Sequence, residues 1–280
     1  MTMQPAAIAT MQTGWQAHLS LGFSRRGNQT VLAERRQYGP LTVQRPFYPE
    51  GMPCHLYLLH PPGGVVGGDE LDVQIKVEQE AHALLTTPGA TKFYRSAGPQ
   101  SKVTQTFQLA EGAALEWLPQ DNILFPGANL QLQSTFHLES DSRLIAWECI
   151  SLGRPVNEER FLEGQLRSRW RVYRNQRLCL NESLRVLDAA DLERRAGLAG
   201  YPLVATLIAS PCSETERELV RELLQGYAAP AGVTLLNDLL IVRLLGAHNE
   251  PLQQLMQTIW QALRPTVIGC PACRPRIWNT

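Results

Sequence analysis

Apolar and polar residues alternate with a period of two over most of the first two thirds of the chain. Trp15, Ala17, Leu19, Leu21 and Phe23 alternate with Gln16, His18, Ser20 and Gly22. Leu71, Val73, Ile75 and Val77 alternate with Asp72, Gln74 and Lys76; Leu130, Leu132, Phe136 and Leu138 alternate with Gln131, Gln133, Thr135 and His137. Strand side chains point to the two faces in turn, so each run predicts a half-buried β-strand. Turn-forming clusters separate the runs, among them Pro61-Pro62-Gly63-Gly64, Pro88-Gly89 and Pro126-Gly127.

Segments starting at Ile75, Thr106 and Thr135 each read as strand, acidic turn, strand, with starts 31 and 29 residues apart. Repeats of this length stack as coils of a β-solenoid. Successive hairpins of a β-sandwich would give a similar pattern. Helical periodicity appears only late. Ser213 and Glu216 form a capping box, and Leu219, Val220, Leu223 and Leu224 form an apolar stripe that Gly226 ends. A second helix is predicted from Glu250 to Leu263, with Pro251 in its first turn and Leu252, Leu255, Met256 and Ile259 as its stripe. Between the two helices, Gly232 to Leu245 reads as a buried strand or hairpin.

The predicted fold is mainly β, with β-helical, solenoid-like stacked sheets over residues 14–200. Residues 1–13 are expected to be a flexible N-terminus, and residues 201–280 a small α+β segment with two helices, packed on the body as one domain.

Composition narrows the function. Lys plus Arg equals Asp plus Glu at 26 each, which gives no bulk attraction to nucleic acid or an anionic membrane. No apolar run reaches the ~18 residues of a membrane-spanning helix. Met1 to Gly14 lacks the basic and apolar regions of a secretory signal, and the six cysteines show no disulfide framework. A cytoplasmic protein is expected.

Three carboxylates fall on inward faces. Glu182 shares a face with Leu178, Leu180, Leu184 and Val186; Glu148 with Leu144, Ala146, Ile150 and Leu152; Asp69 begins the face of Leu71, Val73 and Ile75. An inward carboxylate is costly unless paired, hydrogen-bonded or hydrated. Inward Arg and His partners would satisfy them. A hydrated passage would too, and its isolated oxygens would hold a divalent cation loosely. An acid–base pair of a hydrolase is a third reading, with no paired nucleophile in support.

Other features are weaker. Cys270 and Cys273 form a CxxC, a metal or redox pattern with no second ligand pair. His60 enters the glycine-rich turn beside Asp69; a strand rather than a helix follows that turn, which argues against nucleotide binding. Arg167, Arg169 and Arg171 share one strand face, either solvated or docking an acidic protein surface.

Six stretches in order resemble the UreD (UreH) family of urease accessory proteins: residues 39–49, 60–69, 87–95, 115–120, 125–128 and 152–155, densely over about 14–156, with a further likeness at 275–278. The resemblance implies a β-helical fold with two C-terminal helices and no catalytic activity. It implies a cytoplasmic partner of apo-urease that recruits a helical adaptor (UreF type) and a GTPase (UreG type). Nickel would be transient cargo, with no permanently bound cofactor. Asp69, Thr91, Glu148, Arg154 and Glu182 match polar positions of an interior passage in that family.

Overall fold

The computed structural model describes residues 14–279. The expectation for residues 1–13 lies outside them. Strands β1 (Gln16–Arg26) and β2 (Gln29–Tyr38) form an opening hairpin, and β3 (Thr42–Val43) leads into β4 (Cys54–Leu59). The next coil holds β5 (Glu70–Val77), β6 (His82–Thr86) and β7 (Thr91–Phe93), followed by β8 (Ser101–Leu109), β9 (Ala114–Leu118) and β10 (Asn122–Leu124). Then come β11 (Asn129–Leu138), the long β12 (Arg143–Arg154), the short β13 (Glu159–Arg160), β14 (Gln165–Arg174) and β15 (Arg177–Val186). The chain continues through α1 (Ala189–Glu193), β16 (Leu203–Ser210), α2 (Glu214–Leu223), β17 (Ala231–Leu236), β18 (Leu239–Gly246) and α3 (Asn249–Val267).

The solenoid reading holds. The first sheet has the order β15-β14-β11-β8-β5-β1-β2, parallel from β14 to β1 and closed by antiparallel β15 and β2. The second runs β17-β18-β16-β12-β9-β6-β4-β3, parallel from β12 to β4. Strands β7 and β10 stack on residues 150–152 of β12 as a short third side. Because β16 pairs with β12 from Leu144 to Ser151, the α+β segment extends a sheet of the body.

The register corrects one detail of the repeat. Ile75 pairs with Phe107, and Phe107 with Phe136, so equivalent positions lie 32 and 29 residues apart. Aligning Ile75 with Thr106 is one residue early, and a one-residue slip exchanges the two faces of a strand. The coils turn alike: Glu80, Gly112 and Asp141, each three residues past its strand end, have φ of 57°, 66° and 58°.

Inward apolar residues fill the space between the sheets. The rings of Phe107 and Phe136 stack at 4.5 Å, with Trp117 and Trp170 flanking them at 5.2 Å. The second sheet is buried on both faces. Leu144, Ala146, Ile150 and Leu152 of β12 face the solenoid interior; Ile145, Trp147 and Cys149 face the helical layer. This explains why that strand is apolar on both flanks in sequence. Helix α3 covers the outer face with Leu252, Met256, Ile259, Trp260, Leu263 and Val267.

Several local expectations shift. Helix α3 ends at Val267 rather than Leu263 and keeps Pro265 within its last turn. Burial of Leu263, Arg264 and Val267 offsets the hydrogen bond that proline forfeits there. Helix α2 begins with the predicted capping box, in which Ser213 N–H donates to Glu216 Oε2 at 2.8 Å. Helix α1, capped by Asp188, was not foreseen because five residues are too few for a periodic signal. Residues 231–246 form a hairpin, and Trp15 is exposed at 61% because it precedes β1 instead of facing the core.

Phe136→Ala removes the centre of the aromatic stack without touching a polar group. It is expected to lower unfolding free energy by about 3–5 kcal/mol in urea titrations. A loss under about 1 kcal/mol would show that the stack does not organise the core.

Candidate functional site: a polar seam between the sheets

Polar side chains interrupt the apolar interior along one line. The inward positions that pair across the first sheet run Val73, Gln105, Ser134, Trp170 and Glu182. Ser134 Oγ donates to Gln105 Oε1 at 3.0 Å. Glu148 faces this line from β12, and Ser168 Oγ donates to its Oε1 at 2.9 Å. The indole Nε1 of Trp170 is buried, makes no hydrogen bond of ordinary geometry, and has the Glu148 carboxylate as its near neighbour, whose charged form it favours.

Two cavities adjoin the seam. One, of about 450 Å³, is lined by Glu148, Ser168, Trp170, Glu182, Thr206 and Arg243 among others. The other, of about 270 Å³, is lined by His60, Thr91, Gln105, Asn122 and Glu148 among others. Glu148 lines both. Burial pushes its carboxyl up to about 7, against the opposing pull of the Ser168 hydroxyl and the Trp170 indole N–H. It therefore exchanges a proton near neutral pH.

The predicted site residues divide. Glu148, Glu182, His60 and Thr91 line the cavities. Glu182 is inward as expected but half-buried, since β15 is the outer strand, and Leu178 on its expected face is exposed. Glu182 is held by Arg243, whose Nε donates at 2.7 Å and whose Nη2 donates to the second oxygen. Burial lowers the affinity of His60 for a proton, and the nearby Asp69 charge opposes that.

Asp69 is buried but committed to the backbone: it accepts from Trp15 N–H at 2.8 Å and Val66 N–H at 2.9 Å. Arg154 lines neither cavity. It pairs with Glu159 and lies over the Phe125 ring at 4.5 Å. Arg167, Arg169 and Arg171 are on the outer face of the first sheet. Cys270 and Cys273 are free and half-buried, and burial pushes Cys270 up to about 11. That disfavours the thiolate that binds metal. Among the described residues, no group of three or more His, Cys, Asp or Glu is arranged to hold a metal ion.

Reading the sequence for inward carboxylates missed the most deeply buried one. Glu116 of β9 is fully buried between the second sheet and α3. It receives Trp260 Nε1–H at 2.6 Å and Arg264 Nε–H at 2.9 Å, with His82 Nε2 2.8 Å away. Arg264 also donates to both oxygens of Glu50, at 2.8 and 2.6 Å, and to the Pro271 carbonyl. Burial alone would raise the Glu116 carboxyl; His82 and Arg264 outweigh it and hold it near 2. Its signal was present, for Glu116 shares a face with Ala114 and Leu118. Ser134 was signalled too, as the polar break in the run from Leu130 to Leu138.

The fold is a parallel β-solenoid with a helical cover and a polar seam between its sheets. A model of the UreD urease accessory protein family matches residues 16–279. Urease accessory protein UreD of Pseudomonas putida (strain W619) is 53% identical over 267 residues, 95% of each chain. Its namesake in Citrobacter koseri is 49% identical over 99% of this chain and 96% of its own. That of Alcanivorax borkumensis is 48% identical over 95% and 93%. The chain belongs to the UreD family of urease accessory proteins.

Two substitutions test the electrostatics. Arg264→Met leaves the Glu116 charge buried without its guanidinium and is expected to cost about 3–5 kcal/mol; adding Glu116→Gln should return part of it. An unchanged urea midpoint for Arg264→Met would contradict the pairing. For Glu148, the folded chain keeps a proton that the unfolded chain releases above its ordinary carboxyl value of 4.5. Its contribution is thus full below pH 4.5 and lost as pH rises through about 7. Relative to Glu148→Gln, the unaltered chain should lose on the order of 3 kcal/mol between pH 4 and 8. Parallel stability profiles for the two would exclude a buried neutral Glu148.

Proposed function

We propose that this urease accessory protein is a scaffold and a nickel conduit. It holds apo-urease beside a UreF-type helical adaptor and a UreG-type GTPase in the cytoplasm, and passes Ni²⁺ along the polar seam. The observation that supports this reading is the position of Glu148, shared by two cavities with Glu182 in one and His60 and Thr91 in the other. Separated oxygens bind a borderline cation more loosely than clustered imidazoles and thiolates do. Weak sites in series allow entry and release, as in channels.

Glu148 carries the chemistry. Its protonated form keeps the seam from holding a permanent buried charge. An arriving Ni²⁺ displaces the proton and finds a carboxylate, with the Ser168 hydroxyl alongside. Reprotonation then releases the ion. No electrons move, and nickel stays Ni²⁺.

A second reading, a docking scaffold with nickel delivered by another route, draws on the Glu182–Arg243 pair. That pair already satisfies the outer carboxylate. The conduit requires Arg243 to give way, whereas the scaffold does not.

Co-expression with urease and its accessory proteins separates the two. With Glu148→Ala, a conduit predicts an intact complex but nickel loading slowed about tenfold, the effect of losing a contact worth about 1.4 kcal/mol. Equal loading by variant and unaltered chain would leave the scaffold alone.

A further inference from the structure

The outer face of the first sheet carries an arginine ladder that folding does not explain. Arg167 lies between Gln131 and Arg185, Arg169 between Gln133 and Ser183, and Arg171 between Thr135 and Asn181. No carboxylate stands in these rows on either neighbouring strand. Strand β8, one further out, adds only Lys102, Thr104 and Thr106. The first carboxylates are Glu70 and Asp72 on β5, already bonded to Lys102 and His18 at 2.8 and 2.9 Å. They lie three strands away, roughly 14 Å at the usual strand spacing, beyond the Debye length of about 8 Å in physiological salt.

Several arginines elsewhere are neutralised locally, as with Arg154–Glu159, Arg160–Glu193 and Arg217–Glu218. Here, among the described residues, Arg167 donates only to the Gln165 side-chain amide oxygen, and Arg185 sits directly opposite it. Like charges opposed across a strand pair are destabilising. The ladder continues into a stacked aromatic pair, Tyr173 on His137 at 5.1 Å.

We propose that this face is the docking surface for an acidic protein surface. Neighbouring arginines along β14 repeat at about 6.8 Å, a spacing that carboxylates two apart on an extended segment reproduce. Each guanidinium can take a carboxylate through two parallel hydrogen bonds. The composition fits a protein partner better than a nucleic acid. It is rich in Arg with an adjoining Tyr, and the one Lys in its rows, Lys102, is already paired with Glu70. Only four cations form it, in a chain with 26 basic and 26 acidic residues. The proposal rests on the scaffold reading for the identity of the partners to be tried.

The test uses the full chain, unaltered and as Arg167→Glu/Arg169→Glu/Arg171→Glu, with Arg→Gln at the same positions as a milder variant. Association rates are measured with purified apo-urease and with the adaptor–GTPase complex, from low to high salt. Thermal unfolding checks that the solvent-facing changes leave the fold intact. With one of these partners, charge reversal should slow association by about 10- to 100-fold at low salt, the Gln variant less, and the difference should shrink at high salt. Unchanged rates for a folded reversal variant overturn the proposal and leave the scaffold reading standing. Failure of the unaltered chain to bind either partner overturns both. Tighter binding of an equally charged oligonucleotide than of either protein overturns the assignment to a protein surface.

Discussion

The pairing of Glu116 with Arg264 is the constraint around which the other layers are arranged. It joins the middle of the solenoid to the last turn of α3, residues 148 positions apart in sequence. A fully buried carboxylate and guanidinium are tolerated only when nearly every polar atom is matched. Here His82, Trp260, Glu50 and the Pro271 carbonyl complete the set. The pair therefore fixes the rotation of α3 as well as its distance. It also draws in the loop before β4 through Glu50 and the tail through Pro271. Trp278 then closes over Trp147 and Trp260 at 5.3 and 5.2 Å.

With α3 fixed, the second sheet is covered outside and packed inside, and the first sheet is left with one solvent face. Among the described residues, both sheets contribute side chains to the interior between them. Most of it is aromatic and aliphatic. The exception is the line through Gln105, Ser134, Ser168, Trp170 and Glu148, where a dry apolar core would be the more stable choice. A buried carboxyl raised to about 7, with only the Ser168 hydroxyl and the Trp170 indole beside it, is a feature a stability argument alone does not supply. The Glu148 carboxyl lines both cavities, as the proposed passage requires.

Much of this was legible in the alternation of residues. The faces of Glu148 and Glu182 followed from counting by twos, because register in a sheet with one buried face is strictly set. The capping box located α2, and the repeat located the coils to within one residue. What stayed hidden depended on tertiary partners. Whether an inward carboxylate is free, as Glu148 nearly is, or clamped, as Glu116 and Asp69 are, turns on groups up to 148 residues away. The commitment of Glu182 to Arg243 is likewise a contact between β15 and β18 that no local pattern encodes. Helix α3 overran its expected end because burial of Arg264 outweighed a proline signal.

The most direct measurement is anomalous diffraction at the nickel absorption edge from crystals of the complete maturation complex, prepared in a state that goes on to load urease. Transit along the seam predicts an anomalous peak between the two sheets, beside the Glu148 carboxylate and within reach of Ser168. Nickel found only outside the solenoid in a loading-competent complex, with Ser168 still bonded to Glu148, would contradict it.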